Sequence, residues 1–127
     1  MIGKVIHSLL SAYQPLTDII DSISPYVLSE NTELPAVIYT VDALEPEYDK
    51  DGWVVDECKF SVAAFCKDYS YLQSISRYIR QALELKKGTH EFTTIGRIYL
   101  TGQSEGYHID TDVFVNRLTF QVQVLKY

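Results

Sequence analysis

The clearest pattern in the chain is an alternation of side chains between two faces over three segments, two of which alternate mainly apolar with polar residues. In one segment, Lys59 and Ser61 lie on one face, and these apolar residues lie on the other: Cys58, Phe60, Val62, Ala64 and Cys66. A second alternates near the C-terminus, with these apolar members: Leu118, Phe120, Val122 and Val124. The third, Leu34 to Val41, begins beside Pro35, whose missing amide donor is tolerated at a strand start. Because successive strand side chains point to opposite faces, each segment predicts a strand with one face on a core.

The N-terminal region follows the helical period instead. Its apolar residues recur at helical spacing: Ile2, Val5, Ile6, Leu9, Leu10 and Tyr13. They predict one helix ending near Gln14-Pro15. A second short helix is predicted from Pro15 to Ser24-Pro25, with these residues on one face: Leu16, Ile19, Ile20 and Ile23. A short strand at Tyr26–Leu28 and a polar loop at Ser29–Glu33 are expected to follow.

A further helix is predicted after the Cys58–Cys66 strand. Ser70 and Gln73 fit a capping box, and Gly88 after Lys86-Lys87 fits a helix stop. The expected buried stripe consists of Leu72, Ile75, Ile79, Ala82 and Leu83.

The last third of the chain predicts three strands. They cover Ile95–Thr101, Tyr107–Ile109 and Val113–Leu125, with a turn at Gly102–Gly106. The resulting order, αα(β)ββαβββ, predicts an α+β fold in which an antiparallel sheet packs against helices. At 127 residues the chain is expected to form one domain over residues 1–127.

The segment Asp42 to Gly52, here called the acidic arm, is rich in carboxylates and ends in the turn-forming pair Asp51-Gly52. This acidic segment between two strands is predicted to form an extended β-hairpin arm. Phe65 breaks the polar face of its strand, which predicts that another part of the chain or a neighbouring subunit covers that face. The candidate interface residues are Glu45, Glu47, Tyr48, Asp49, Asp51, Trp53 and Phe65.

The ten tyrosines suit an interface, because each buries a ring while keeping a polar tip. A position along the boundary of the core explains them equally well.

The charge and the cysteine content limit the partners and the cellular compartment that we expect for the chain. Eleven basic against seventeen acidic residues give a net charge of −6, which argues against a surface that gathers nucleic acid. Cys58 and Cys66 lie about 26 Å apart if they share one strand at 3.3 Å per residue, so they are expected to be unpaired core thiols in a reducing compartment. No apolar run approaches the roughly 20 residues that span a bilayer, and no export signal is recognisable, so a cytoplasmic product without a membrane partner is expected.

No pattern predicts catalysis. His108, Asp110 and Asp112 alternate, but three residues beside a turn fit a solvated edge better than a metal site. The carboxylates of the acidic arm fit a solvated loop, and the glycines form no phosphate-binding loop. We therefore expect no enzyme, no catalytic or metal-binding residue and no cofactor.

Taken together, these segments resemble the tail-completion family of long-tailed phages and prophages, also called tail terminator or tail-to-head joining proteins. The resemblance covers nearly the whole chain. It rests on the helical N-terminus, the strand Leu34–Val41 led by Pro35, a long loop, the strand ending Phe60-Ser61-Val62-Ala63-Ala64-Phe65, the helix Leu72–Leu83 and the strand Leu118–Val124.

The resemblance implies a non-enzymatic virion part at the head–tail junction, made in the cytoplasm of the bacterial host. Such a part forms a ring of copies of itself, expected to be a hexamer, contacts the tail tube protein and the head connector protein, and meets DNA only as it passes through a channel. The acidic arm is then expected to reach a neighbouring subunit or the tail tube, with carboxylates that keep DNA from adhering. The alternative is a small α+β regulatory domain that binds a ligand or protein as a dimer; an enzyme ranks third.

Overall fold

A computed structural model of the chain describes residues 2–28 and 31–127. Its three helices are α1 (Ile2–Ala12), α2 (Gln14–Thr17) and α3 (Tyr69–Leu83). Its seven strands are β1 (Ser22–Pro25), β2 (Ala36–Asp49), β3 (Gly52–Cys66), β4 (Gly88–His90), β5 (Thr93–Ile95), β6 (Tyr99–His108) and β7 (Val113–Lys126). Among these residues, none of the helices is long and apolar enough to cross a membrane.

All seven strands belong to one sheet, in the order β1-β2-β3-β7-β5-β4, and β6 pairs with β7 beside β5. Only β1 and β2 are parallel; the remaining pairs are antiparallel. The α+β class is therefore confirmed, whereas the prediction of a purely antiparallel sheet is wrong at the β1–β2 pair.

The core lies between one face of this sheet and the helices. The alternating residues of β3 and β7 point to that face, where Phe60 stacks on Phe120 with ring centroids 5.2 Å apart. Helix α3 packs over β3 and β7, while α1 packs over β1 and β2. Cys58 and Cys66 are both buried on this face as free thiols, which confirms their predicted place in the core. The opposite face of the sheet is here called the open face.

The N-terminal region departs from the predicted helices. Helix α1 ends at Ala12, and α2 is a single turn that ends at Thr17 rather than continuing to Ser24. Ile23 instead lies in β1, whose residues pair with Ala36–Tyr39. The predicted strand at Tyr26–Leu28 is wrong, because the strand ends at Pro25. Of the predicted polar loop, Ser29 and Glu30 lie outside the described residues.

The predicted helix Leu72–Leu83 is confirmed within α3, but its predicted capping and stop residues are wrong. Asp68, not Ser70, caps the N-terminus, since its Oδ1 accepts the amide of Tyr71 at 3.1 Å. The helix ends at Leu83, well before Gly88, and Leu85 with φ 64° follows the end.

The C-terminal region contains four strands where three were predicted. Gly102–Gly106 is not a turn but the interior of β6. Strands β4 and β5 form a hairpin whose two-residue turn consists of Glu91 and Phe92, with φ of 50° and 64°. Neither residue is a usual turn former, so the hairpin left no signal in the sequence.

Candidate interaction surface

The sheet extends beyond its helices as a two-stranded ribbon. Strand β7 pairs with β3 only from Asp56 onward, so residues 45–55, here called the outer hairpin, are held by β2–β3 pairing alone. Every residue from Glu45 to Val54 is exposed. The predicted acidic β-hairpin arm is therefore confirmed, and its strands are paired almost to the tip.

The turn of the outer hairpin lies one residue earlier than predicted. Asp49 pairs with Gly52, which places Lys50 and Asp51 at the centre of a two-residue turn. The amide of Asp51 donates to Oδ1 of Asp49 at 2.7 Å, and Gly52 has a φ of 123° that side chains rarely tolerate.

The base of the outer hairpin is fixed by a buried carboxylate. Asp56 is 6% exposed and accepts a hydrogen bond from Nε1 of Trp53 at 2.8 Å and another from the hydroxyl of Tyr127. The Trp53 and Tyr127 rings lie 6.1 Å apart. Burial and the bond to Asp56 raise the pKa of Tyr127 above its ordinary value of 10.0. Trp53, predicted to face a partner, is 41% exposed and also bonds within its own chain.

A β-bulge anchors the same region from the open face. Asp42 is the extra residue between Val41 and Ala43, and bulges re-aim side chains at such points. Its carboxylate accepts hydrogen bonds from the buried Ser61 hydroxyl, from Thr40 at 3.1 Å and from Arg117 Nη2 at 3.3 Å.

The outer hairpin presents carboxylates to solvent. Glu45 lies directly opposite Glu57, whose two oxygens accept from Gln121 and Gln123 at 3.3 and 2.6 Å. Like charges facing each other weaken a strand pair, so folding alone does not favour Glu45 at this position. Tyr48 is 70% exposed and stands near the tip.

Phe65 lies at the other end of β3, up to about 40 Å from Trp53 at 3.3 Å per residue. It is half-buried between Ala36 and Val115 in the sheet register. It borders a groove of about 820 Å³ lined by Leu28, Thr32, Glu33, Leu34, Phe65, Lys67, His108, Thr111 and Val113. The structure therefore places six of the seven candidate interface residues on one hairpin and Phe65 on a separate surface.

The residues that could hold a metal are dispersed. His108 ends β6, whereas Asp110 and Asp112 lie in the exposed turn before β7, so they do not share a strand face. The Tyr107 hydroxyl donates to Asp112. Within residues 2–28 and 31–127, no group of three His, Cys, Asp or Glu residues could hold a metal ion.

The thiol of Cys58 is poorly suited to act as a nucleophile. Burial, followed by the charges of Asp42 and Asp56, raises its pKa from 9.0 to about 12, so the thiol stays protonated at neutral pH. Its role is to pack beside Phe60 in the core.

Two features of this surface left no clear sequence signal. Tyr127 gave no periodic pattern, and its bond to Asp56 depends on strand pairing across the sheet. Gly102 and Gly106 hid the continuity of β6, although the lack of a side chain at Gly102 suits its close approach to Thr119.

These features define a class of fold: a mixed sheet with helices on one face and a long hairpin projecting beyond it. No family model matches the chain, and no curated protein matches it in sequence. Its fold is similar to that of a chain from a virion of a native gene transfer agent particle, with a TM-score of 0.74 and 12% sequence identity. The match covers 94% of this chain and 91% of that chain, so the likeness extends over nearly the whole fold.

Proposed function

We propose that this chain is a structural virion protein that terminates the phage tail tube and joins it to the head connector. One observation carries this proposal: the fold is shared, over 94% of the chain, with a chain from a virion. The resemblance of the sequence to tail-completion proteins supplies the more specific role. In that role copies of the chain form a closed ring, expected to be a hexamer, through heterologous contacts.

The exposed outer hairpin supports a role in contact rather than in chemistry. Tyr48 and the carboxylates from Glu45 to Asp51 are exposed. In the proposed ring, the hairpin tip reaches the tail tube protein, and acidic side chains that face a channel keep DNA from adhering.

The function is tested by deleting the gene in the phage or prophage that encodes the chain and imaging the particles by electron microscopy. We expect overlong tails and unattached heads, with both defects repaired by the wild-type gene. Particles with normal tails and attached heads would reject the proposal.

The hairpin is tested by deleting Glu45 to Asp51. Because Leu44 pairs with Cys58 and Asp56 remains in the sheet, we expect a folded protein, measured by circular dichroism, that no longer joins heads to tails. A matched variant with Glu45→Gln and Glu47→Gln keeps the hairpin and separates its charge from its length. Unchanged joining by the deletion variant would remove the hairpin from the mechanism.

Light scattering of the purified protein addresses the alternative from another class. Six-fold rings in negative stain agree with the virion role. A stable dimer that binds a ligand in the groove beside Phe65 would instead favour a small regulatory binding domain.

A further inference from the structure

The sheet has a long strand whose outer edge is uncovered. Strand β6 pairs along one side with β7, and none of residues 2–28 and 31–127 pairs with its other side. Eight of its ten residues are exposed, including the whole run Gln103–His108. The unpaired amides and carbonyls of such an edge form a template for another strand.

The β6 edge also lacks the usual protection against pairing. Edge strands are normally blocked by lysine, proline, a bulge or short length. From Gly102 to His108 the register with β7 is unbroken, and the segment contains no lysine, arginine or proline. The carboxylate of Glu105, its one acidic side chain, accepts hydrogen bonds from Tyr69 at 2.7 Å and Gln73 at 3.0 Å, so it is held against α3.

A second uncovered edge lies on the opposite side of the same sheet. Strand β1 pairs with β2 only at Ala36–Tyr39, so β2 has no outer partner from Thr40 onward among the described residues. The bulge at Asp42 interrupts this edge between Val41 and Ala43. Pro46 lacks an amide donor, which ends the usable part of the edge after Glu45.

The directions of the strands make these two edges complementary. Strands β2, β3, β7 and β6 lie side by side and are antiparallel throughout, so the two outer strands run in opposite directions. A second copy with the same face upward therefore brings its β2 antiparallel to β6 of the first. The alternation of strands then continues unbroken from one copy to the next.

We propose that the occupant of the β6 edge is β2 of a second copy, paired antiparallel over residues 40–45 on either side of Asp42, which stays unpaired as a bulge. The contact uses different surfaces on the two copies, so it repeats from copy to copy and closes into a ring when the rotation allows. This inference rests on the proposed function and gives its ring a specific backbone contact. Because pairing stops at Pro46, the tip of the outer hairpin stays available to a different partner.

Engineered disulfides test the pairing. Ser104 and Gly106 of β6 and Thr40, Ala43 and Glu45 of β2 all lie on the open face, where directly opposed Cα atoms come within disulfide range. Cysteine at one β6 position is combined with cysteine at one β2 position. Within one chain β6 and β2 are three strand spacings apart, about 14 Å, so only two copies can form the bond. The native thiols Cys58 and Cys66 are buried and remain silent.

A matched control uses Gln103→Cys, whose side chain lies on the other face of β6, opposite Leu118. We expect at least one open-face pair, such as Ser104→Cys with Ala43→Cys, to give oligomers on non-reducing gels. The Gln103→Cys pairs are expected to remain monomeric.

The variants are examined both in purified particles and in the concentrated protein. Particles that contain the chain but give no β6–β2 cross-link overturn the pairing and leave the proposed function standing. Cross-linking by Gln103→Cys as efficient as by Ser104→Cys also overturns it. If the single variant Ser104→Cys gives dimers and no β6–β2 pair does, two copies pair through β6 with β6 about a two-fold axis. That result also overturns the β6–β2 pairing. If the chain is absent from particles, the proposed function is rejected. The β6–β2 pairing is then tested by the same gel pattern in the concentrated purified protein.

Discussion

Strands β2 and β3 pair along their whole length, but the two halves of this ladder differ in what surrounds them. The inner half, around Val37 and Phe60, is buried beneath α1 and α3. The outer hairpin has the same pairing but solvent on both faces. The hairpin is therefore held by its continuity with the sheet and by the cluster around Asp56, because an isolated two-stranded hairpin is marginally stable in water. Packing constrains the residues of the inner half, whereas the residues of the outer hairpin are free to serve a contact.

The largest expected difference between the halves is in stability. Phe60→Ala removes a fully buried ring stacked on Phe120, so we expect the free energy of unfolding to fall by about 3–5 kcal/mol. Tyr48→Ala in the outer hairpin is expected to change it by less than about 0.5 kcal/mol. Urea unfolding followed by circular dichroism measures both. Comparable losses at the two positions would contradict the division of the ladder.

The second prediction concerns how the stability of the inner half depends on pH, through the buried thiol of Cys58. The folded chain holds the Cys58 proton up to about pH 12, whereas the unfolded chain releases it near pH 9.0. The contribution of this thiol to stability is complete below pH 9 and is lost as pH rises above it, by up to about 1.4 kcal/mol per pH unit. Urea midpoints between pH 8 and 10.5 should fall less steeply for Cys58→Ala than for wild type, whatever the offset caused by the smaller side chain. Parallel slopes would show that the thiol takes no part.

Strand β7, which pairs with the inner half, places a buried polar side chain in the apolar core. Asn116 is fully buried opposite Ala64, and neither amide atom has a hydrogen-bond partner among the described residues. Asn116→Val should therefore raise the free energy of unfolding by about 1–2 kcal/mol, since it removes an unsatisfied polar group. Thermal and urea unfolding measure the change, and Asn116→Asp should act in the opposite direction. A loss of stability in the valine variant would indicate that the amide is satisfied after all.

The smallest effect is expected at the junction of the two halves. Tyr127→Phe removes one of two hydrogen bonds to Asp56 and should cost about 1 kcal/mol, because Tyr127 is half exposed. Hydrogen exchange should become faster from Gly52 to Val55 while the Phe60 region stays protected. Tyr48→Phe, which removes an exposed hydroxyl from the outer hairpin, is the matched control. Equal exchange in both variants would remove Asp56 as the anchor.

The sequence predicted the parts of the fold in which burial follows a simple period. The alternating residues of β3 and β7 and the apolar stripe of α3 all face the core. The pattern failed where partners distant in sequence decide the outcome. Gly102 and Gly106 favour a turn locally, but β7 supplies them with a strand partner. Ile23 fits a helical stripe but pairs with Val37 in the sheet.

The sequence likewise predicted only part of the candidate surface. The acidic composition located the outer hairpin correctly, because few buried strands contain so many carboxylates. It could not reveal that Trp53 bonds to Asp56 or that Phe65 lies on a separate surface, since both depend on pairing across the sheet. The uncovered edge of β6 was invisible for the same reason: an edge is a property of the assembled sheet.

The two bulges, at Asp42 on β2 and Val54 on β3, show that the pairing accommodates one extra residue on either strand while the rest of the ladder keeps a regular register. Adding two residues to each strand near the tip would extend the hairpin by about 7 Å and leave every side chain on its original face. The body of the chain and the length of its outer hairpin can therefore change independently of each other.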